Sequence, residues 1–256
     1  MSLTADPVIS LREVSLRIPV IRDQSRSLKV SLIRSVTGGR LLQSRAGSEV
    51  LALDSISLSI NHGERVALIG HNGAGKSTFL RLISGIYKPT SGKMSMSVQV
   101  FPMLYKSFFT SPELSGLQAA KAHYLMAKQS LIGFDDYIRA VVEFSGLGDF
   151  VHLPIKTYSE GMASRLLFSI LTSFSHDCLA LDEGIGSGDA QFFERAQQRL
   201  SEFVEAAGTL ILASHSEDLL RRFCLRGLVF SAGKVIFDGP LDSALNHYAA
   251  HNAQAA

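Results

Sequence analysis

The residues best suited to chemistry stand close together in this chain. Gly70, Gly73, Gly75, Lys76 and Ser77 lie in "GHNGAGKST", with His71, Asn72 and Ala74 between them and Thr78 next in line. Glycine costs stability inside regular elements, so three in six positions suggest a backbone that must come close to something. The spacing fits G-x-x-x-x-G-K-[ST], a loop whose successive backbone N–H groups cradle phosphate oxygens. A helix starting near Lys76 aims the positive end of its dipole at the same anion. In such a loop Lys76 reaches the β- and γ-phosphates, the Ser77 hydroxyl binds Mg²⁺, and Thr78 adds an α-phosphate contact.

A loop of this kind must sit between a strand and a helix, and the flanking sequence supplies both. Leu51 to Ile60 ("LALDSISLSI") alternates apolar and polar residues as a half-buried strand does, and "HGE" leads into the short apolar strand "RVALIG". "STFLRLISGI" then carries apolar residues at helical spacing and stops at Gly85, with Pro89 and Gly92 closing the turn. Residues 103–165 are mostly helical in pattern and are expected to form a helical insert. After them "CLALDEG", Gln191 to Ala206, "TLILASH" and "SEDLLRRF" alternate strand and helix, the pattern of a parallel sheet flanked by helices. "GLVFSAGKVIFDGP" predicts a hairpin around Ala232 and Gly233, and a last helix starts near Leu241.

Three further groups fall where they could act on a bound triphosphate. Asp182 and Glu183 end a buried-looking strand side by side, which fans two carboxylates toward one metal and phosphate. Asp182 would hold Mg²⁺ through water, and Glu183 would polarise the attacking water. Such a pair alone is more often a solvated turn; its place after a strand and downstream of the phosphate loop argues otherwise. Ser159 and Gly161 open a helix in "TYSEGMASRLLFSIL", where a serine and unpaired helix-start amides make a second anion site or an ordinary N-cap. His215, in "TLILASHSED", is a polar residue at the end of an apolar strand.

Composition limits the classes that need weighing. At 256 residues and a formal charge of +2, the chain is long enough for a sizeable core and carries no basic excess that would point to nucleic acid. Cys178 and Cys224 are isolated and read as reduced packing residues. "MSLTADPVISLREV" lacks a charged start followed by an apolar core, and no apolar run approaches a membrane span. The expectation is a cytosolic protein whose membrane contact is peripheral.

Taken in order, these motifs resemble those of the ABC-type ATPases. The Tyr158 to Met162 stretch looks like that family's signature, so that Ser159, Glu160, Gly161 and Met162 of one subunit would cover the ATP held by the loop of the other. His215 matches the switch histidine that contacts the γ-phosphate, and Asp189 in "GSGDAQF" looks like the acidic residue through which subunits communicate. The resemblance spans residues 51–239 and is greatest to the polysaccharide-export branch, which moves O-antigen, capsule or teichoic acid. It implies an α/β P-loop core with a mixed sheet flanked by helices, an N-terminal antiparallel β subdomain and a helical subdomain. It further implies ATP and Mg²⁺, a homodimer, a separate integral membrane permease at the cytoplasmic face of the inner membrane, and a glycan handled only indirectly. Residues 1–256 are expected to form one nucleotide-binding domain without a C-terminal carbohydrate-binding domain. An ABC-type ATPase of another transporter, a soluble ABC-type ATPase, and a nucleotide sensor that hydrolyses little are the alternatives.

Two departures stand out. No Phe, Tyr or Trp precedes Phe79, so the aromatic residue that stacks on adenine in this family has no counterpart; Arg17, Ile18 or Ile21 are the substitutes at hand. The usual glutamine after the strand that follows the first helix is also missing, since Gln99 is expected inside that strand and Gln118 within a helix. Residues 22–45 hold six basic residues against one acidic, with Leu28, Val30, Leu32 and Ile33 interleaved. That segment reads as a solvated insertion or as an amphipathic element near anionic headgroups.

Overall fold

The computed structural model describes residues 7–20, 41–44, 47–103, 111–182 and 190–255. Along the chain come β1 (Ile9–Val20), β2 (Leu41–Ser44), β3 (Gly47–Ile60), β4 (Arg65–Ile69), α1 (Lys76–Ile83), β5 (Ser91–Met96), β6 (Val100–Met103), α2 (Gly116–Lys128) and α3 (Phe134–Ser145). Then follow α4 (Glu160–Leu171), β7 (Cys178–Asp182), α5 (Ala190–Ala206), β8 (Thr209–Ala213), α6 (Glu217–Phe223), β9 (Arg226–Ser231), β10 (Lys234–Pro240) and α7 (Leu241–Ala255). They fall into two compact units, one of residues 1–102, 177–182 and 208–256, the other of residues 103–176 and 183–207.

The first unit holds two sheets. An antiparallel sheet has the order β2-β3-β1-β5, and a six-stranded sheet the order β10-β9-β4-β8-β7-β6. Within the second sheet β9, β4, β8 and β7 run parallel, and β10 closes one edge antiparallel to β9. The central strands are continuous apolar runs because both faces of a parallel sheet are covered; Val66, Ala67, Leu68, Leu210 and Ile211 are all fully buried. On α1 the apolar positions Phe79, Leu80, Leu82 and Ile83 are likewise buried, and the Phe79 ring meets Phe230 at 5.2 Å between centroids. The two strands expected to deliver the glycine loop thus part company: β3 joins the antiparallel sheet and β4 alone carries the loop.

That antiparallel sheet was only half legible. β1 pairs with β3 from Ile9↔Ile60 to Val20↔Ser48, through irregularities near Val14 and Leu16 that break the strict alternation by which strands are recognised. Glu13 and Ser55 sit there at φ near +50°, and serine hydroxyls satisfy their amides: Glu13 N–H donates to Ser57 Oγ at 2.8 Å and Ser55 N–H to Ser15 Oγ at 2.9 Å. Most of the basic segment 22–45 lies outside the described residues, apart from the short β2.

The second unit is helical. α2 starts with a capping box in which Ser115 and Gln118 exchange side-chain and backbone bonds. Its core gathers Ala120, Tyr124, Tyr137, Val141, Leu147, Ile155, Leu166 and Ile170, so α2, α3 and α4 each contribute one apolar face. The Tyr124, Tyr137 and Phe174 rings stand 4.8 to 5.8 Å apart.

A buried histidine in this unit gives the first testable consequence. His123 stacks on Phe174, and burial first, then the neighbouring His176, pushes its pKa from 6.5 down to about 4. The fold keeps the ring neutral while the unfolded chain charges it, so its stabilising contribution is complete above pH 6.5 and is lost as pH falls toward 4. Urea denaturation at successively lower pH is expected to show about 3 kcal/mol lost through this group across that window. His123→Phe should flatten the slope.

Candidate functional site

The phosphate-loop sequence leaves β4 at Ile69 and enters α1 at Lys76, at the carboxyl edge of the parallel strands where open α/β sheets bind ligands. Gly75 supplies the helix start at φ +115°, a left-handed conformation that a side chain would strain. Gly70 lies so close to β9 that a Cβ would stand 2.5 Å from the Phe230 carbonyl oxygen. The loop is also tied to the hairpin beside it. Ala74 N–H donates to the His71 carbonyl at 3.1 Å, Gly233 N–H to the Ala74 carbonyl at 2.8 Å, and Asp54 N–H to the Gly233 carbonyl at 2.9 Å.

Lys76 is 8% exposed, and its Nζ donates to the carbonyls of Gly70 at 2.5 Å and His71 at 3.1 Å. A cation held at the positive end of a helix is an arrangement that a bound anion relieves. Ser77 and Thr78 stand half-buried in the same turn, ahead of the first intrahelical bond from Phe79 N–H to the Gly75 carbonyl at 2.8 Å. Their backbone donors belong to the set that a helix start leaves for a ligand.

Two strands away on the same edge, Asp182 ends β7 half-buried, its Cα opposite Ala213 of β8. His215 follows β8 and is exposed, and its Nε2 lies 3.0 Å from Asn72 Oδ1. His215 is therefore brought to the loop that carries Asn72 and Lys76 from 143 positions beyond Asn72. Glu183 and Asp189 lie outside the described residues. Ser77 and Asp182 offer hard oxygen donors, and among the described residues no three His, Cys, Asp or Glu gather into a metal cluster. One hydroxyl and one carboxylate are the sparse set suited to Mg²⁺, which keeps water and takes phosphate oxygens for its remaining positions.

The signature stretch belongs to the helical unit. Ser159 caps α4, its Oγ accepting the Met162 N–H at 3.2 Å. Glu160 opens the helix, and Gly161 in its first turn has nothing within 4 Å of where a Cβ would stand. The preceding Tyr158 is fixed from behind: its hydroxyl donates to the Phe150 carbonyl at 2.6 Å, and burial raises its pKa above the ordinary phenol value. Gly116, which no sequence pattern singled out, makes room for that ring, since a Cβ there would lie 2.6 Å from the Tyr158 hydroxyl oxygen. Gly116→Ala is therefore expected to push Tyr158 and the Ser159 turn aside, costing about 1–3 kcal/mol; thermal denaturation would check the cost.

The two departures resolve differently. Gln99 lies in the connection ahead of β6, a correction to its expected place inside a strand, because β5 ends at Met96 and β6 begins only at Val100. Gln118 is in α2, where its Oε1 accepts the Ser115 N–H at 2.9 Å. Arg17 is exposed on β1 with Glu49 at 4.0 Å, Ile18 is half-buried, and Ile21 lies outside the described residues.

Comparison with known proteins identifies the family. Residues 53–186 match the family described as ABC transporter. Over 216 residues the chain is 39% identical to the O-antigen export system ATP-binding protein RfbE of Yersinia enterocolitica, covering 84% of this chain and 90% of that one. It is 34% identical to the O-antigen export system ATP-binding protein RfbB of Klebsiella pneumoniae (86% and 89% covered) and 31% identical to the teichoic acids export ATP-binding protein TagH of Staphylococcus haemolyticus (81% and 78% covered). Its fold matches a solved ATP-binding subunit of an ABC transporter with a TM-score of 0.67, at 18% identity, over 94% of this chain and 93% of that one. A dimeric ATP-binding cassette, MJ0796 with ADP and Pi, matches with a TM-score of 0.66, at 18% identity, over 91% and 98%. The chain belongs to the ABC transporter family. Within that family the relatives named above are export ATP-binding proteins, for O-antigen in two cases and for teichoic acids in the third.

Proposed function

We propose that two copies of this chain bind two ATP molecules between them, close on them, and hydrolyse them to drive export of an O-antigen-like or capsule-like glycan through a separate membrane permease. The observation that carries the reading is the 39% identity to an O-antigen export ATP-binding protein across nine-tenths of that protein's length. Lys76 and the loop amides hold the β- and γ-phosphates. Ser77 and Asp182 hold Mg²⁺, which neutralises phosphate charge when bound. Glu183 polarises the attacking water, and His215 holds the γ-phosphate. Ser159, Glu160, Gly161 and Met162 of one copy cap the nucleotide on the other, and Asp189 lies where the two copies communicate.

In this reading residues 1–256 form one nucleotide-binding domain with residues 103–165 as its helical subdomain. No helix among the described residues is long and apolar enough to cross a membrane. The chain works as a peripheral subunit on the cytoplasmic face of the inner membrane, and the permease supplies the spans. Gly161 supports the dimer: glycine in a helix costs about 1 kcal/mol relative to alanine, and nothing in its own unit requires it. Glu183→Gln tests the reading, because it keeps the site's shape while removing the base. The variant should retain ATP binding, lose turnover by at least about a hundredfold, and accumulate as an ATP-bound dimer in size-exclusion chromatography. Unimpaired turnover would remove Glu183 from its assigned role.

A further inference from the structure

The contact between Asn72 and His215 is not accounted for by phosphate binding alone. The residues are 143 positions apart, yet Nε2 and Oδ1 stand 3.0 Å from each other. They sit on the loops that follow β4 and β8, neighbouring parallel strands paired from Arg65↔Leu210 to Leu68↔Ala213. Each loop is set independently of the contact. On the first, Ala74 N–H donates to the His71 carbonyl at 3.1 Å, and His71 Nδ1 lies 2.7 Å from the Asn72 carbonyl oxygen. On the second, Ser214 is 7% exposed, its Oγ accepts Ser216 N–H at 3.0 Å, and Ser216 caps α6 by accepting Leu219 N–H at 3.4 Å.

We propose that Asn72 is a positioning residue for His215: its amide oxygen holds the Nε2–H of the imidazole at the mouth of the phosphate loop until a nucleotide phosphate oxygen takes that proton in its place. The proposal rests on the reading that the loop receives ATP. An amide oxygen only accepts hydrogen bonds, so the contact requires the proton on Nε2. A phosphate oxygen also only accepts. The two therefore compete for one donor, and the ring already carries its proton on the nitrogen that the phosphate needs. The exchange calls for no proton transfer and no tautomer change. Its direction follows from charge. The Asn72 acceptor is an uncharged amide oxygen and both side chains are exposed, whereas a bond to an anionic phosphate oxygen is charge-assisted and about twice as strong. Asn72 thus limits the ring's freedom in the nucleotide-free protein without being able to hold it against ATP. Nucleotide lacking the γ-phosphate leaves the contact closed.

Nitrogen NMR of histidine-labelled protein reads the tautomer directly, with His215→Ala used to assign the resonances. In nucleotide-free wild type, Nε2 should carry a proton. Asn72→Ala should relax the ring to mixed tautomers, and Asn72→Asp, which keeps the acceptor oxygen, should restore protonated Nε2. Adding the Mg²⁺ complex of a non-hydrolysable ATP analogue should shift the Nε2–H resonance, while the Mg²⁺ complex of ADP leaves it in place. An Nε2 without a proton in wild type, or spectra that Asn72→Ala leaves unchanged, would overturn the proposal. A kinetic cycle supplies a second reading: Asn72→Ala should lower kcat/KM about tenfold in wild type, with kcat nearly unchanged, but less than about twofold in the His215→Ala background. Equal losses in both backgrounds would mean that Asn72 does not act through His215. Wild type that neither binds nor turns over ATP would instead defeat the reading of the loop, and the nucleotide-free spectra would still decide the contact.

Discussion

Lys76→Ala is expected to abolish ATP turnover, by at least about a hundredfold, while leaving the protein folded. The size follows from what the side chain faces. Its ammonium is buried over the loop and held by the carbonyls of Gly70 and His71, within reach of the phosphates that the loop amides would cradle. Removing a preorganised donor from developing phosphate charge costs about a hundredfold or more, because water cannot replace it with the same orientation. The stability cost is smaller. Two loop carbonyls lose a donor beside solvent, which is worth about 1–3 kcal/mol. Steady-state ATPase measurements beside urea denaturation would separate the two. A variant that hydrolysed ATP at the wild-type rate would remove Lys76 from the site.

Gly161→Ala has the opposite signature in its own unit. A Cβ there meets nothing within 4 Å, and alanine favours the helix by about 1 kcal/mol, so thermal stability should hold or rise slightly. If the surface it lines closes on a nucleotide held by a second copy, however, one methyl group stands where phosphate must approach. Turnover should fall by at least about tenfold, since misplacement at a reacting centre is costly. ATP-dependent dimerisation measured by light scattering should fall with it. Intact turnover and dimerisation would show that this face stays open during the cycle.

How much could be read in advance depended on how locally each feature is encoded. The loop from Gly70 to Thr78 was legible because its glycines, lysine and hydroxyls form one pattern within nine consecutive residues. The strands β7 and β8 were legible because continuous apolar runs between turn residues have few other uses, and Asp182 and His215 follow from them at the sheet edge that carries the loop. β1 was harder. Its irregular pairing near Val14 breaks period-two alternation, and the partners that satisfy Glu13 and Ser55 lie about forty residues away. The placement of Gln99 failed by a short distance, because the gap between β5 and β6 is set by which sheet each strand joins and not by local composition. Gly116 left no trace at all: its role depends on Tyr158, a residue 42 positions later that only tertiary folding brings over it. The Asn72 and His215 contact is of the same kind.

The tip of the β9–β10 turn carries one more lesson. Ala232 and Gly233 both take positive φ there, and Gly233 gives its amide to Ala74 while its carbonyl receives Asp54. One residue thus acts as a shim between the anion cradle and the edge of the other sheet, with its thickness set by the length of a two-residue turn. An inserted residue here is expected to tilt the loop out of line with α1, because the turn's length sets the spacing between Ala74 and Asp54.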